Sequence, residues 1–76
     1  MKKFILTNHA KRRMQKRNIT LHEVQQVLLF PDDDISLDSQ KRKATKRMKH
    51  RSISVIYFET EDFYRIITVE FRRIRR

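Results

Sequence analysis

The sequence predicts an α+β domain in which two N-terminal helices pack on a twisted three- to four-stranded antiparallel sheet. Three observations carry that prediction. Two segments within the first 31 residues have helical apolar spacing and capping residues at their ends. The segments after residue 50 are β-branched and aromatic, with apolar residues at a period of two. The chain has 76 residues, 38% of them hydrophobic, enough for one thin two-layer core and nothing more, so residues 1–76 read as a single domain.

Met1–Leu6 alternates weakly, as a short strand or an ordered lead-in. Thr7 is a good N-cap for a helix from Asn8 to about Arg17, whose narrow apolar stripe is Ala10 and Met14. Asn18 follows, the residue that best replaces glycine in a left-handed helix cap. Thr20-Leu21-His22-Glu23 is a capping box, and Ile19 with Val24 forms a hydrophobic staple. Leu21, Val24, Val27 and Leu28 then keep helical spacing until Pro31 ends the helix. Asp32-Asp33-Asp34 reads as a turn and Ile35–Asp38 as a short strand. Gln40–Arg51 fits strand or helix, because Ala44 and Met48 share a face in both; the strands that follow favour a hairpin. Ser52–Phe58 puts Ile53, Val55 and Tyr57 on one face and Ile56 and Phe58 on the other. Phe63–Phe71 puts Phe63, Ile67, Val69 and Phe71 on one face and Tyr64, Ile66 and Thr68 on the other, as a central strand would. The helices are expected to cover one sheet face, leaving Tyr64, Arg65 and the basic hairpin to meet a ligand on the other.

Nineteen Lys and Arg against nine Asp and Glu give a net charge of +10. Such a surplus strains a small compact chain by self-repulsion and attracts polyanions. It is also segregated: residues 2–17 and 41–51 each hold seven cations and no acid, and residues 65–76 hold five cations and one acid. Residues 18–38 hold five acids and no Lys or Arg. One strongly positive surface is the expectation. Cysteine and glycine are both absent, which excludes disulfides, thiolate chemistry and every Gly-rich phosphate loop. Three scattered histidines and an Asp run in a turn make a poor ligand set, so neither metal nor cofactor is expected. No apolar run reaches the length of a membrane span, and the first residues are too short for a signal segment. A cytoplasmic protein without membrane contact is therefore expected.

Three constellations suit phosphate chemistry. His9, Arg13 and Arg17 recur at i, i+4 and i+8 on the first helix, a row able to grip phosphates and move a proton. The run Lys41, Arg42, Lys43, Lys46, Arg47, Lys49, Arg51, with His50 near its end, repels itself unless a polyanion or acidic partner neutralises it. The tail Phe71–Arg76 adds Arg72 and Arg73. RNA cleavage without a metal requires proton-transfer groups and stabilisation of the phosphorane charge, and His9, His50, Tyr57 and Tyr64 with the arginines are of the right types. Each set also has a plainer use as a solvated basic face.

The stretch from Thr7 to Thr20 carries the pattern T-x-H-A-x-x-R-M-x-x-R-x-I-[ST], matched by Thr7, His9, Ala10, Arg13, Met14, Arg17, Ile19 and Thr20. It resembles the opening of a group of small bacterial and phage domains of unknown function that are similar to the RelE/ParE/BrnT toxins of type II toxin–antitoxin modules. The likeness continues through Val24, Leu28 and Pro31 and the strands at Val55–Tyr57 and Ile66–Val69. Asn18 stands where the group usually has glycine. The resemblance implies two helices on a twisted antiparallel sheet, endoribonuclease activity on mRNA, often at the ribosome, and an antitoxin covering the active surface. His9, Arg13 and Arg17 are the motif positions carried over; His50, Tyr64 and the other cations rest on chemistry and charge. The expectation is thus a metal-independent mRNA endoribonuclease with catalytic His9, His50, Tyr64, Arg13 and Arg17, paired with an acidic antitoxin. Two other readings fit the same residues: a non-catalytic nucleic-acid- or ribosome-binding module, and a domain docking an acidic protein without RNA.

Overall fold

Thr7 sets the frame of the molecule. Its hydroxyl accepts the Ala10 N–H at 3.1 Å, capping the first helix, and donates to the Ile67 carbonyl at 2.8 Å, anchoring that cap to the last strand. The structure, a computed structural model, describes residues 2–74. Its elements are β1 (Lys3–Leu6), α1 (Asn8–Arg17), α2 (Leu21–Leu29), β2 (Asp33–Ser36), β3 (Lys41–Arg47), β4 (Arg51–Glu59) and β5 (Phe63–Arg73). Arg75 and Arg76 of the basic tail lie outside the described residues. Among the described residues no helix is long and apolar enough to cross a membrane.

The strands form one five-stranded sheet in the order β1-β5-β4-β3-β2. This corrects the expectation of two opening helices on a three- to four-stranded antiparallel sheet. The chain begins with a strand, the helices follow it, and β1 pairs parallel with β5, so the sheet is mixed. The physical reason is distance along the chain. Lys3–Leu6 is four residues long, and its partners Phe63–Ile66 lie about sixty residues downstream, so nothing local announces the pairing. Phe4 seals it by stacking on Tyr64, with ring centroids 5.3 Å apart.

Both helices follow their capping grammar. α1 runs Asn8–Arg17 and stops at Asn18, the one residue with positive φ (58°) among those described, whose N–H and that of Ile19 return to the Gln15 and Met14 carbonyls. Thr20 and Glu23 complete the capping box reciprocally. Ala10, Met14, Ile19, Val24, Val27 and Leu28 then bury against Ala44, Ile53, Val55, Tyr57, Ile66 and Val69 of the sheet. Leu21, expected in that stripe, is exposed.

Two strands depart from their sequence reading. β2 starts inside the Asp run, at Asp33, because Asp34 has work on the helix side of the sheet: it accepts the Tyr57 hydroxyl at 2.7 Å and Arg42 Nε at 3.1 Å. Burial and that carboxylate push the Tyr57 phenol up to about 12. In β5 a bulge intervenes: Ile56 faces Thr68 while Tyr57 faces Ile66, which leaves Ile67 unpaired with β4. The bulge moves Tyr64 and Ile66 onto the same face as Val69 and Phe71, so Tyr64 turns toward the helices and not toward the open face. The ambiguous 40–51 segment is strand β3 followed by a turn at residues 48–50.

Turns close without glycine. Asp38 Oδ1 accepts the Gln40 and Lys41 N–H groups, each at 2.8 Å, and those bonds hold its carboxyl below the usual range. Thr60 Oγ1 accepts the Asp62 and Phe63 N–H groups in the β4–β5 turn.

The α1–α2 corner is tied to the sheet by Arg51. Its guanidinium donates to the Arg17 and Asn18 carbonyls, each at 2.8 Å, and to both Glu23 oxygens at 3.0 and 3.1 Å. Burial pushes the Glu23 carboxyl up, but the Thr20 N–H and the Arg51 guanidinium outweigh it, and the net direction is down. The stabilisation is therefore present above the ordinary carboxylate range and lost as pH falls through the lowered folded value. Replacing Glu23 by Gln is expected to cost about 1–3 kcal/mol near neutral pH, read as a fall in melting temperature, and the gap to wild type should narrow at about pH 3. A gap independent of pH would mean the carboxylate charge contributes nothing. At the corner itself, Asn18→Ala should cost about 1 kcal/mol in urea denaturation while Asn18→Gly costs less, since only the left-handed backbone distinguishes them.

Candidate nucleic-acid interface

Beyond Leu6, where β1 stops, the outer edge of β5 passes to α1. Thr7 bonds the Ile66 and Ile67 carbonyls, and one helical turn and a half later Arg13 Nε reaches the Val69 carbonyl at 3.4 Å. α1 therefore lies along the strand edge, and Arg13 and Arg17 border the face of the sheet that the helices leave open. There they rim a groove of about 500 Å³. Its floor is a hydroxyl row, Thr45, Ser52 and Ser54, with Thr45 and Ser54 hydrogen-bonded at 2.9 Å. Its other walls are Arg72 and the Lys43–Glu70 ion pair, 3.2 Å across the face of β4. Nearby, Thr68 Oγ1 is buried with no hydrogen-bond partner among the described residues.

A second groove opens past the end of α1, lined by Lys16, Arg17, Asn18, His50, Arg51, Phe71, Arg73 and Ile74. The two share Arg17 and Phe71, and the Arg17 guanidinium sits 4.9 Å from the Phe71 ring centroid. All three basic blocks of the sequence contribute to this pair of grooves: Arg13, Lys16 and Arg17 from the first, Lys43 and Arg51 from the second, Arg72 and Arg73 from the third.

The residues singled out from sequence are distributed unevenly. Arg13 and Arg17 meet at the first groove; Arg17 and His50 meet at the second. His9 is exposed in the first turn of α1 and lines neither groove. Tyr64 belongs to an aromatic cluster with Phe4 and Tyr57, with Lys2 over its ring. Phe71 lies seven positions further along β5, roughly 23 Å away at the usual strand rise. The basic run is not one surface, because strand alternation divides it. Arg42 and Lys46 point to the helix side, where Arg42 holds Asp34 and Lys46 donates to the Phe30 carbonyl at 2.8 Å beside Asp32. Lys41, Lys43 and Arg47 point to the open face, and Lys49 and His50 occupy the turn. Arg42, Lys43, Lys46 and Arg51 are held in ion pairs, whereas Lys41, Arg47, Lys49, Arg72 and Arg73 make none among the described residues.

The hydroxyl floor and Glu70 escaped the sequence reading, which named Phe71 only as a strand residue and the start of the basic tail. Ser52 and Ser54 alternate with Ile53 and Val55, a legible polar face, but only the register places them beside Thr45 and Glu70. Among the described residues no three His, Asp or Glu side chains gather as a metal would require. The arrangement that does exist is a cationic, hydroxyl-floored trough, able to take an extended anion by its phosphates while holding one imidazole beside it.

No curated protein and no solved structure matches this chain significantly. One family model does, over residues 6–71, which runs from the last residue of β1 to Phe71 in β5 and stops before Arg72 and Arg73. The chain belongs to that family, a domain of unknown function designated DUF4258.

Proposed function

We propose that this protein grips RNA by its phosphates along the two joined grooves and cleaves it there as a metal-independent endoribonuclease. On this reading it is the cytoplasmic toxin of a type II toxin–antitoxin pair, of the RelE/ParE/BrnT kind, acting on mRNA, with an acidic antitoxin covering the same basic surface. The observation that carries it is the convergence of three sequence-distant basic blocks on one pair of grooves that also holds an imidazole. Arg13, Arg72 and Arg73 hold phosphates, and His50 takes the proton of a ribose 2′-OH. The 2′-oxygen attacks the adjacent phosphorus, the bond to the 5′-oxygen breaks, and the leaving oxygen is protonated by solvent, which yields a 2′,3′-cyclic phosphate and a 5′-hydroxyl. The T-x-H-A-x-x-R-M opening motif supports the toxin assignment independently of the grooves.

A second reading, binding without cleavage, is favoured by one observation: His9 and Tyr64 stand away from His50, so the candidate proton-transfer groups do not share a site.

Expression of the wild type from a tightly repressed promoter is expected to arrest growth and fragment cellular mRNA. His50→Ala should abolish both while RNA binding persists. Arg72→Ala should lower the slope of log affinity against log salt by about one, the signature of a lost phosphate contact. Intact mRNA and normal growth beside salt-dependent binding would leave the binding module. Failure to bind RNA at all would remove both readings.

A further inference from the structure

The grooves meet at a single junction, and the two residues they share are Arg17 and Phe71. Arg17 is otherwise exposed, yet it is not free to wander. Its backbone carbonyl is held by Arg51 at the end of α1, and its guanidinium rests over the Phe71 ring, which is half-buried against the core. That cation thus sits over an aromatic ring while also lining both grooves. Phosphate-gripping arginines lie on both sides of it, Arg13 and Arg72 in one groove and Arg73 in the other. A point charge for a phosphate needs no such seat. A delocalised, planar cation seated over an aromatic ring is instead a surface on which a nucleobase can stack. The other aromatic cluster, Phe4, Tyr57 and Tyr64, stands at the opposite end of β5 and cannot substitute for it.

We propose that Arg17, seated on Phe71, is a stacking platform for one unpaired nucleobase between two bound phosphates, so that the ligand of the joined grooves is single-stranded nucleic acid. The proposal rests on the RNA reading above and gives it a substrate class. A duplex keeps its bases stacked within the helix and offers the grooves only its backbone. A single strand can swing one base onto Arg17 while its flanking phosphates fall into the two grooves.

The test uses the full chain and fluorescently labelled 2′-O-methyl strands of about ten nucleotides, which lack the attacking hydroxyl and so resist cleavage. Three probes are compared by anisotropy: a single strand, the same strand with its bases removed, and a hairpin duplex of similar charge. Wild type is expected to bind the base-bearing strand about tenfold more tightly than the abasic strand or the duplex. Arg17→Lys keeps the charge and removes the plane. It should erase that ratio while changing abasic-strand affinity by no more than about twofold. Phe71→Leu keeps apolar volume and removes the ring; with its fold checked by circular dichroism, it should erase the ratio as well. An unchanged ratio in Arg17→Lys would overturn the platform and leave the phosphate grooves standing. No binding of any probe by the wild type would overturn the groove reading and the platform together.

Discussion

The corner that places α1 beside the two grooves depends on one guanidinium. Arg51, at the start of β4, gathers the carbonyls at the end of α1, the left-handed Asn18 and the capping-box carboxylate of α2 into one fork. A planar donor with fixed geometry suits that task, because it satisfies helix-end carbonyls and an acid at once. The consequence reaches past the corner. With its C-terminal end fixed to β4 and its N-cap fixed to β5 through Thr7, α1 has no freedom to slide along the strand edge. Arg13 and Arg17 therefore stand where the edge of β5 puts them, over Val69 and Phe71.

A chain carrying +10 must also manage its own repulsion. It does so by using its acids on the fold side. Asp34 takes Arg42 and the Tyr57 hydroxyl, Asp32 sits by Lys46, Glu23 holds Arg51, and Glu59 pairs with Lys2. Only Glu70 reaches into the first groove, and Lys43 holds it there. Of the cations left over, Arg13, Arg17, Arg72 and Arg73 gather at the end of the sheet formed by the C-terminal ends of α1 and β5, whereas Lys3, Lys41 and Arg65 stand at the opposite end. The positive surface is what remains after structural pairing, and it is narrower than the run of basic residues in the sequence suggests.

That difference marks how far local information goes. The helices were legible because caps, boxes and staples are written within a few residues: Thr7, Asn18, Thr20 and Glu23 each act where their chemistry says. Strands β4 and β5 were legible from alternation, and β3 only as the hairpin partner that those strands favour. The parallel β1–β5 pair, the bulge at Ile67 and the recruitment of Asp33 and Asp34 into β2 were not, since each depends on a partner distant in sequence. The site shows the same division. Arg13, Arg17 and His50 could be named from type and spacing, whereas Glu70, the hydroxyl floor and the place of Phe71 in the site became visible only through register, and Tyr64 was misplaced because one bulge reverses a face.

The parallel pairing of β1 with β5 has a consequence for how the protein comes into being. A strand near residue 3 must find one near residue 63, whereas every other strand pair in the sheet joins neighbours in sequence. Such long-range closure is slow and comes late. During synthesis the helices are made well before β5, and in that interval neither groove has its Phe71, Arg72 or Arg73 wall. Synthesis itself thus delays the completion of both grooves.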